Sequence, residues 1–569
     1  MKMKTMCLVA SLLMAAALVL ASSQAAVGAG GPQYGGELRL VETSEPISFD
    51  PADRASWVAH HMIWPVTNKL VEWDWFKGPA GTNEWPFNGQ FVVYLDPGLM
   101  SKGVCESWEM HDPQHVTLHL RKGVMWQDKP GIMKARELNA DDIVWWMNYM
   151  MASDISNWAT MKERPEKITK IDNYTVHVKL RVPAFRFLTE KLLIEYAIIP
   201  PEVAEKKGDM SDWKDVTGTG AFKLTKYVEG SSLTYKRNDK YWDKDPKGNR
   251  LPYVDTLKYL IIKDRSTQIA ALRAGKVDVL HGVQKEDAES LEKTNPELER
   301  GEILRNYIMK ILPDMKKPPF GPTMDANALK VRRAAALAID QPGIAKKFYG
   351  GRAIMHPSAV VGPGLPVDRL RVKNMPPERK ELYEYHPEKA KKLLAEAGYP
   401  NGFNINIHLN PTGTYPDVAA LLKAYWDAVG IKTTLKVHEP AAFSALQHAF
   451  SMDGMMLAGY GFGSAMTGPY TTEGEGKPNY ANWNSLMDPQ FDVWADKLAG
   501  MSDMEARIDL LQTIVLRVID NAFELTVPTP YLYSYWQPWI GGYHGEVESG
   551  FDLWEKLGLY IWVDKSKKK

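Results

Sequence analysis

Cysteine is almost absent from this chain of 569 residues, which contains only Cys7 and Cys105. Cys7 lies in an N-terminal segment that we expect to be removed, so one thiol would remain in the mature chain. A single cysteine cannot form an intrachain disulfide. The fold must therefore be stabilised by its hydrophobic core, which a chain of this length divides between two or more lobes.

The N-terminal segment has the parts of a signal peptide. Lys2 and Lys4 precede an apolar stretch from Leu8 to Ala21, and Ser23-Gln24-Ala25 supplies the small–x–small pattern of a signal-peptidase site. We predict that residues 1–25 are a cleaved signal peptide and that the protein is periplasmic. A membrane anchor is the alternative for this segment.

The chain also lacks an excess of charge and a second long apolar run. Lys+Arg and Asp+Glu both number 69, which gives a formal net charge of +0. A nucleic-acid binder usually has a basic surplus, so we expect no nucleic-acid partner. No later run approaches the roughly 18 apolar residues that suggest a transmembrane helix, so we expect a soluble mature protein.

The strongest catalytic and phosphate-binding motifs are missing. The sequence has no G-x-x-x-x-G-K-[ST], no H-E-x-x-H and no G-x-S-x-G. His111, His115 and His119 are spaced four apart, but the alternation at Val116–Leu120 is typical of a strand. On a strand, His115 and His119 would lie about 13 Å apart, too far for one metal ion. We predict no catalytic residue, no metal and no cofactor.

What the sequence does contain is an alternation of strand and helix patterns. Val176–Leu180 alternates apolar and polar residues, as a half-buried strand does. Asn139 is placed to cap a helix, and Pro387 and Gly398 fit the first position and the C′ position of another. Strands and helices alternate through the C-terminal half, which predicts an α/β fold.

The order of the segments resembles the family 5 solute-binding proteins of ABC importers, the oligopeptide-, dipeptide- and nickel-binding type. The resemblance covers residues 34–563 and depends on eight blocks in the family's order. These blocks are "GVCESWEMHDPQHVTLHLRKGVMWQD", "LNADDIVWWMNYMM", "IDNYTVHVKLRVPAFRFL", "TGTGAFKLTKYVEGSSLTYKRNDKYW", "LPYVDTLKYLIIKDRSTQIAALRAGKVDV", "KKPPF", "LKVRRAAALAIDQPGIAKKFYGG" and "YHPEKAKKLLAEAGYPNGFNINI".

The resemblance implies a two-lobed periplasmic binding protein fold of type II, with an extra domain inserted in the N-terminal lobe. A small solute would bind between lobes I and III, and closure about a hinge would present it to an ABC permease in the inner membrane. No bond of the solute would be broken, and we expect a monomer. The implied ranges are 34–71, 200–304 and 521–569 for lobe I, 72–199 for inserted domain II and 305–520 for lobe III.

One feature expected of a peptide binder is missing. Many peptide binders of the family hold the ligand's α-ammonium group with an aspartate of lobe III, because an unpaired charge is costly to bury. Here no acidic residue lies between Asp453 and Glu473, and the aspartate position falls near Phe462. A peptide is our first expectation for the ligand. An oligosaccharide, a glycoside or another neutral solute is the alternative, and an exported hydrolase or a chaperone is the alternative of another class.

Eight candidate ligand-binding residues come from positions matched to the family, and two more, Tyr531 and Tyr533, come from the alternation of tyrosines near the C-terminus. Trp57 offers a surface on which a ligand could stack, and the alternative is that its side chain lies in the core. The amides of Asn482 and Asn484 could bond to ligand hydroxyls, and the alternative is that they cap turns. The C-terminal stretch "YLYSYWQPWIGGYHG" reads mostly as packing, with Trp539 and Tyr543 inside lobe I. The ten candidates are Ala55, Ser56, Trp57, Tyr460, Phe462, Asn482, Trp483, Asn484, Tyr531 and Tyr533.

Overall fold

The structure is a computed structural model. It describes residues 31–53, 57–84, 97–304, 307–358, 370–411, 413–450, 452–461, 468–472, 477–479, 481–546 and 553–568. The predicted signal peptide, residues 1–25, lies outside the described residues.

The described chain is a mixture of strands and helices, as the α/β prediction requires. The strands are β1 Glu37–Glu42, β2 Val71–Trp73, β3 Met100–Lys102, β4 Cys105–Asp112, β5 His115–Leu120, β6 Pro165–Asp172, β7 Thr175–Leu180, β8 Phe222–Val228, β9 Ser232–Arg237, β10 Thr256–Ile261, β11 Val279–Val283, β12 Glu299–Leu304, β13 Tyr307–Pro313, β14 Ala353–Ile354, β15 Phe403–Leu409, β16 Ile431–Val437, β17 Met455–Gly461, β18 Leu525–Thr526, β19 Thr529–Trp536, β20 Ile540–Gly541 and β21 Trp562–Val563.

The helices vary in length from three to seventeen residues. They are α1 Trp57–Ile63, α2 Ala140–Ala152, α3 Pro201–Lys207, α4 Arg265–Arg273, α5 Lys285–Thr294, α6 Ala326–Leu337, α7 Gln341–Gly343, α8 Pro377–Lys380, α9 Pro387–Glu396, α10 Tyr415–Ala428, α11 Pro440–Ala449, α12 Pro489–Ala499, α13 Met504–Asp520 and α14 Leu553–Tyr560. Phe187–Glu195 and Ile344–Phe348 are π-helical segments. No helix among the described residues is both long and apolar enough to cross a membrane.

Local sequence signals account for several of these elements. Asn139 caps α2 through a capping box in which Asp142 bonds back to the cap backbone. Pro387 is the first residue of α9, and Gly398 follows that helix with φ +95°, a conformation that glycine adopts without strain. In β5 the side chains of Val116, Leu118 and Leu120 are buried alternately, as predicted.

The N-terminal part of the chain builds two four-stranded sheets. One has the order β1-β10-β9-β8, in which β1 and β10 are parallel. The other has the order β4-β5-β7-β6 and is antiparallel throughout. This second sheet belongs to the range predicted for inserted domain II. It carries His111 on β4, and His115 and His119 on β5, where the alternation of apolar residues predicts a strand.

A five-stranded sheet, β16-β15-β17-β13-β18, forms the centre of the range predicted for lobe III. Its parallel strands β15 and β16 are joined by α10, which is the helical crossover that a parallel pair requires. Trp426 of α10 is fully buried, and its indole Nε1 donates to the carbonyl of Ala335 on α6 at 2.9 Å. Helices α6 and α10 are thereby fixed against each other beside this sheet.

The chain crosses between sheets twice. Strand β12 pairs with β19 in the sheet β11-β19-β12, whereas the next strand, β13, pairs with β17 and β18. The return crossing lies between β18 and β19, at Val527 and Pro528, a few residues beyond the predicted lobe boundary. Two adjacent crossings of this kind are the arrangement expected of a hinge. The domain boundaries themselves remain a prediction.

Candidate ligand-binding cavity

A cavity of about 270 Å³ lies where the sheet of β19 meets the five-stranded sheet. Its walls come from separate parts of the chain, so the topology assembles it rather than any one motif. The lining residues are Gln284–Glu286 at the start of α5, Met309 of β13, Phe348, Tyr349 and Arg352 before β14, Asn410 and Gly413–Tyr415 between β15 and α10, and Thr529–Tyr533 of β19.

Arg352 is bonded to the neighbouring strand β19. Its Nη1 donates to the hydroxyl of Tyr533 at 2.9 Å, and its Nη2 donates to Oε2 of Glu302 at 3.2 Å. The guanidinium also lies 5.4 Å from the centroid of the Tyr533 ring. The backbone continues this link, because Tyr531 N donates to the carbonyl of Arg352 at 3.0 Å. Side chain and backbone together hold the segment before β14 against β19.

Lys285 reaches the same region from α5. A Cβ placed on Gly350 would lie 3.1 Å from Cε and 3.2 Å from Nζ of Lys285, so the lysine side chain packs directly against that glycine. Its Nζ is 3.6 Å from Oε1 of Glu289, one turn further along the helix. The contact brings two parts of the chain that are 65 positions apart in sequence to the rim of one cavity.

Aromatic rings and hydroxyl groups form much of the remaining wall. Tyr349 is buried, and burial raises the pKa of its hydroxyl to about 12, with the Thr414 side chain opposing part of that rise. Burial also raises the pKa of Tyr533. Both hydroxyls therefore stay protonated at neutral pH and can donate hydrogen bonds. An apolar wall with a few fixed polar groups is typical of small-molecule sites.

Two of the predicted site residues line the cavity. Tyr531 and Tyr533 lie on β19, where Tyr533 is 2% exposed and also packs in the cluster that contains Tyr535 and Leu280. Tyr533 therefore has both roles, a wall of the cavity and part of the core. Tyr543 is buried against Trp536 at 4.8 Å between ring centroids, as the packing interpretation predicted.

The asparagine candidates are engaged with the backbone. Nδ2 of Asn482 donates to the carbonyls of Thr471 and Leu486, and its Oδ1 accepts from Leu486 N at 2.8 Å. Nδ2 of Asn484 donates to the carbonyl of Phe523. The bonds between Asn482 and Leu486 are local, as in a turn cap, whereas Asn484 is bonded to a carbonyl 39 positions away. Neither asparagine is among the residues that line the cavity.

Trp483 packs against an apolar cluster that includes Leu312 and Phe443. The other candidates are placed only by their backbone or not at all. Trp57 begins α1, and Tyr460 of β17 pairs with Ile308, the neighbour of the cavity residue Met309. Ala55, Ser56 and Phe462 lie outside the described residues.

Sequence reasoning missed the charged residues of the cavity. Arg352 directly follows Gly350-Gly351, which the sequence marks only as a helix stop, and Lys285 opens an ordinary polar helix. The available signal was the glycine pair itself, since Gly350 has φ +63° and allows Lys285 to approach. Among the described residues no cluster of three or more His, Cys, Asp or Glu side chains is arranged to hold a metal ion.

Comparison with known proteins finds related sequences and structures. Heme-binding protein A of Haemophilus influenzae is 27% identical over 536 residues, which cover 88% of each chain. The dipeptide-binding protein of Escherichia coli is 28% identical over 411 residues, or 66% of each chain. The structure of the periplasmic binding protein DppA of Helicobacter pylori in complex with the peptide STSA superposes with a TM-score of 0.68 at 21% identity, covering 94% of this chain and 99% of that one.

The fold is therefore the two-lobed type II fold of periplasmic binding proteins, as predicted. The profile of the bacterial extracellular solute-binding proteins, family 5 Middle, matches residues 100–479, which is more than half of the chain. The chain belongs to this family of solute-binding proteins. The family is made up of binding proteins rather than enzymes.

Proposed function

We propose that the protein is the periplasmic solute-binding component of an ABC importer and that its ligand is a peptide. The cavity between two sheets, beside two adjacent strand crossings, carries this proposal, because a ligand that contacts both walls stabilises the closed arrangement. Relatives named as dipeptide- and oligopeptide-binding proteins support a peptide. The loaded protein would then dock on a permease of the inner membrane as a monomer.

The proposed organisation follows the two crossings. Residues 34–71, 200–304 and 521–569 form lobe I, residues 72–199 form inserted domain II and residues 305–520 form lobe III. Residues 1–25 direct export and are removed. N-terminal sequencing of the protein from a periplasmic fraction tests the last point, and a mature chain that still begins at Met1 would contradict it.

The ligand is tested on the protein purified without denaturation. Mass spectrometry of the small molecules that co-purify should find peptides, and di- and tripeptides should raise the thermal midpoint while oligosaccharides leave it unchanged. Solution scattering should show a smaller radius of gyration when peptide is bound. Oligosaccharides that raise the midpoint while peptides do not would support a neutral solute instead. Consumption of a peptide by catalytic amounts of protein would contradict a pure binding role.

A further inference from the structure

The residues just before the π-helical segment Phe187–Glu195 contact a distant part of the chain. The ring of Phe185 lies under the guanidinium of Arg507, with 5.1 Å between the ring centroid and the guanidinium carbon. Both residues are 3% exposed. Phe185 belongs to the range proposed for inserted domain II, whereas Arg507 lies on α13, in the range proposed for lobe III. A cation over an aromatic face is attracted to it, and the attraction is stronger where water is excluded.

Arg507 is held in this position by its own lobe. Its Nη1 donates to the carbonyls of Leu498 and Met501, at 2.5 and 2.7 Å, in the turn between α12 and α13. Burial and the nearby charge of Arg186 lower the pKa of the guanidinium to about 10, so it stays charged at neutral pH. Its Nε makes no hydrogen bond to any residue that the structure describes. This N–H group would gain water if Phe185 moved away, which makes the contact reversible.

Two more contacts join the same two parts of the chain. A Cβ placed on Gly500 would lie 4.0 Å from Cβ of Pro183, so the end of α12 runs directly against the segment before the π-helix. Nζ of Lys162 is 3.6 Å from Oδ1 of Asp496 on α12, but these side chains are 71% and 79% exposed. Exposed ion pairs contribute little to stability. The buried cation–aromatic contact is therefore the centre of this interface, and the ion pair lies at its rim.

The range proposed for domain II is bonded firmly to the range proposed for lobe I. Nε2 of Gln127 is buried and donates to the carbonyls of Gly220 and Phe222, at 3.0 and 2.8 Å. Arg136 forms a two-bond pair with Glu202, in which Nε lies 2.6 Å from Oε1 and Nη2 lies 2.9 Å from Oε2. Such bidentate pairs fix the orientation of both partners. Domain II therefore moves with lobe I, and its contact with lobe III must break when lobes I and III separate.

We propose that this interface is a latch, made of Phe185, Arg507, Pro183 and Gly500, through which domain II holds lobes I and III in the closed arrangement. Among the described residues, those that line the ligand cavity do not include any of the four. The latch therefore controls how often the cleft opens without contacting the ligand. This inference rests on the proposed function, since it assumes that the lobes open and close. Contacts made only in the closed state lower the open population and slow the release of a bound peptide.

A reversible cross-link tests the latch directly. In the double variant Pro183→Cys/Gly500→Cys the two Cβ atoms would lie 4.0 Å apart, within the roughly 3.5–4.5 Å that disulfides require. Gly500 has φ −88°, which cysteine adopts without strain. Mild oxidation with diamide should form the cross-link in the ligand-free double variant but not in the two single variants, since Cys105 is buried. Failure of the double variant to cross-link would overturn the inference, because the contact would then be absent in solution.

Solution scattering compares opening without any ligand. The ligand-free variant Phe185→Ala should have a larger radius of gyration than the cross-linked protein, and dithiothreitol should return the cross-linked protein to the wild-type value. Tyr174→Ala is the matched control, because it removes a ring that lies under Lys122, at 5.2 Å, within domain II itself. This control should keep the wild-type radius, and circular dichroism checks folding. Equal radii for Phe185→Ala, the wild type and the cross-linked protein would overturn the inference.

A pool of di- and tripeptides supplies the kinetic measurement. Phe185→Ala should speed peptide dissociation at least about threefold, whereas the cross-link should slow association and dissociation at least about tenfold until it is reduced. Unchanged rates in the cross-linked protein would overturn the latch, because peptide would then enter and leave without its release. Absence of peptide binding by the wild type would contradict the proposed ligand alone, since the scattering comparison decides the latch without a ligand.

Discussion

Arg352 and Tyr533 are joined by a hydrogen bond of 2.9 Å between Nη1 and the phenol oxygen, with the guanidinium 5.4 Å from the ring centroid. Arg352 stands before β14 and Tyr533 on β19, so the contact connects two walls of the cavity. Tyr533 at the same time belongs to a buried cluster with Leu280, Val283 and Leu291. A residue that fills the core is thus also the residue that orients the guanidinium.

The two roles of Tyr533 can be separated by substitution. Tyr533→Phe keeps the ring and its packing but removes the hydrogen-bond acceptor, so we expect a loss of about 1 kcal/mol in the free energy of unfolding. Tyr533→Ala also removes the ring from the core and should cost about 3–5 kcal/mol. Urea denaturation of both variants measures the difference. Equal losses would show that the hydroxyl, rather than the ring, provides most of the stabilisation.

The approach of Lys285 to the glycine pair gives a second prediction. Gly350→Ala would place a methyl group 3.1 Å from Cε of Lys285, so the side chain must shift by a few tenths of an ångström. We expect ligand affinity to fall a few-fold, because Lys285 is displaced from the cavity rim. Calorimetric titration measures this change.

Gly351→Ala is the matched control for that variant. Gly351 has φ +80°, comparable to φ +63° at Gly350, so both substitutions strain the backbone by roughly 1 kcal/mol. A Cβ on Gly351 would meet nothing within 4 Å. Both variants should lose stability, but only Gly350→Ala should lose affinity. Equal affinities of the two variants would contradict a role for the Lys285 contact.

The ion pair between Lys310 and Glu524 is buried inside the five-stranded sheet. Nζ and Oε2 are 3.2 Å apart, and the side chains are 1% and 0% exposed. The hydroxyls of Ser358 and Tyr470 also donate to the carboxylate of Glu524, at 2.8 and 3.0 Å. A buried carboxylate with this many donors is fully engaged, so its charge belongs to the structure.

Removing one partner of this pair should be strongly destabilising. Glu524→Gln leaves the buried ammonium of Lys310 without that counter-charge, and we expect a loss of about 3–5 kcal/mol in the free energy of unfolding. Lys391→Met breaks the exposed pair with Glu388 instead and should cost less than about 1 kcal/mol. Chemical denaturation compares the two variants. A loss below 1 kcal/mol for Glu524→Gln would contradict this interpretation of the pair.

Elements with a strong local signal could be predicted from the sequence. The cap at Asn139, the alternation of Val116, Leu118 and Leu120, and the Pro387 start of α9 are all present as expected. Each depends on residues within one element, where period and capping decide the structure. The histidine pair His60-His61 had no such signal. It lies on the helix α1, where His60 is buried, and burial lowers the pKa of the His60 imidazole to about 3.

The cavity could be predicted only in part, because it is made by contacts between distant segments. The two predicted residues that line it, Tyr531 and Tyr533, were found from the alternation of β19 within one strand. Arg352 and Lys285 were not predicted from the sequence, because no local pattern indicates that α5 and the glycine pair Gly350-Gly351 are in contact. The tryptophans were equally uninformative. Trp64, Trp146 and Trp426 are buried in the core.

Glu546 gives the chain a pH-dependent element of stability that can be isolated by one substitution. Its side chain is fully buried, and burial raises the pKa of the carboxyl from 4.5 to about 7. Between pH 4.5 and pH 7 the folded state therefore keeps a proton that the unfolded state has released. The contribution of this proton to the free energy of unfolding is full below pH 4.5 and is lost as the pH rises through 7. Over this window the free energy of unfolding falls by about 3 kcal/mol, since one pKa unit corresponds to about 1.4 kcal/mol.

The variant Glu546→Gln has no carboxyl group to titrate at this position. The free energy of unfolding of this variant, relative to the wild type, should therefore rise by up to that amount between pH 4.5 and pH 8, measured by urea denaturation at several pH values. Contributions from the buried histidines cancel in the difference, because both proteins contain them. A difference that stays constant with pH would show that Glu546 is ionised in the folded protein throughout this range.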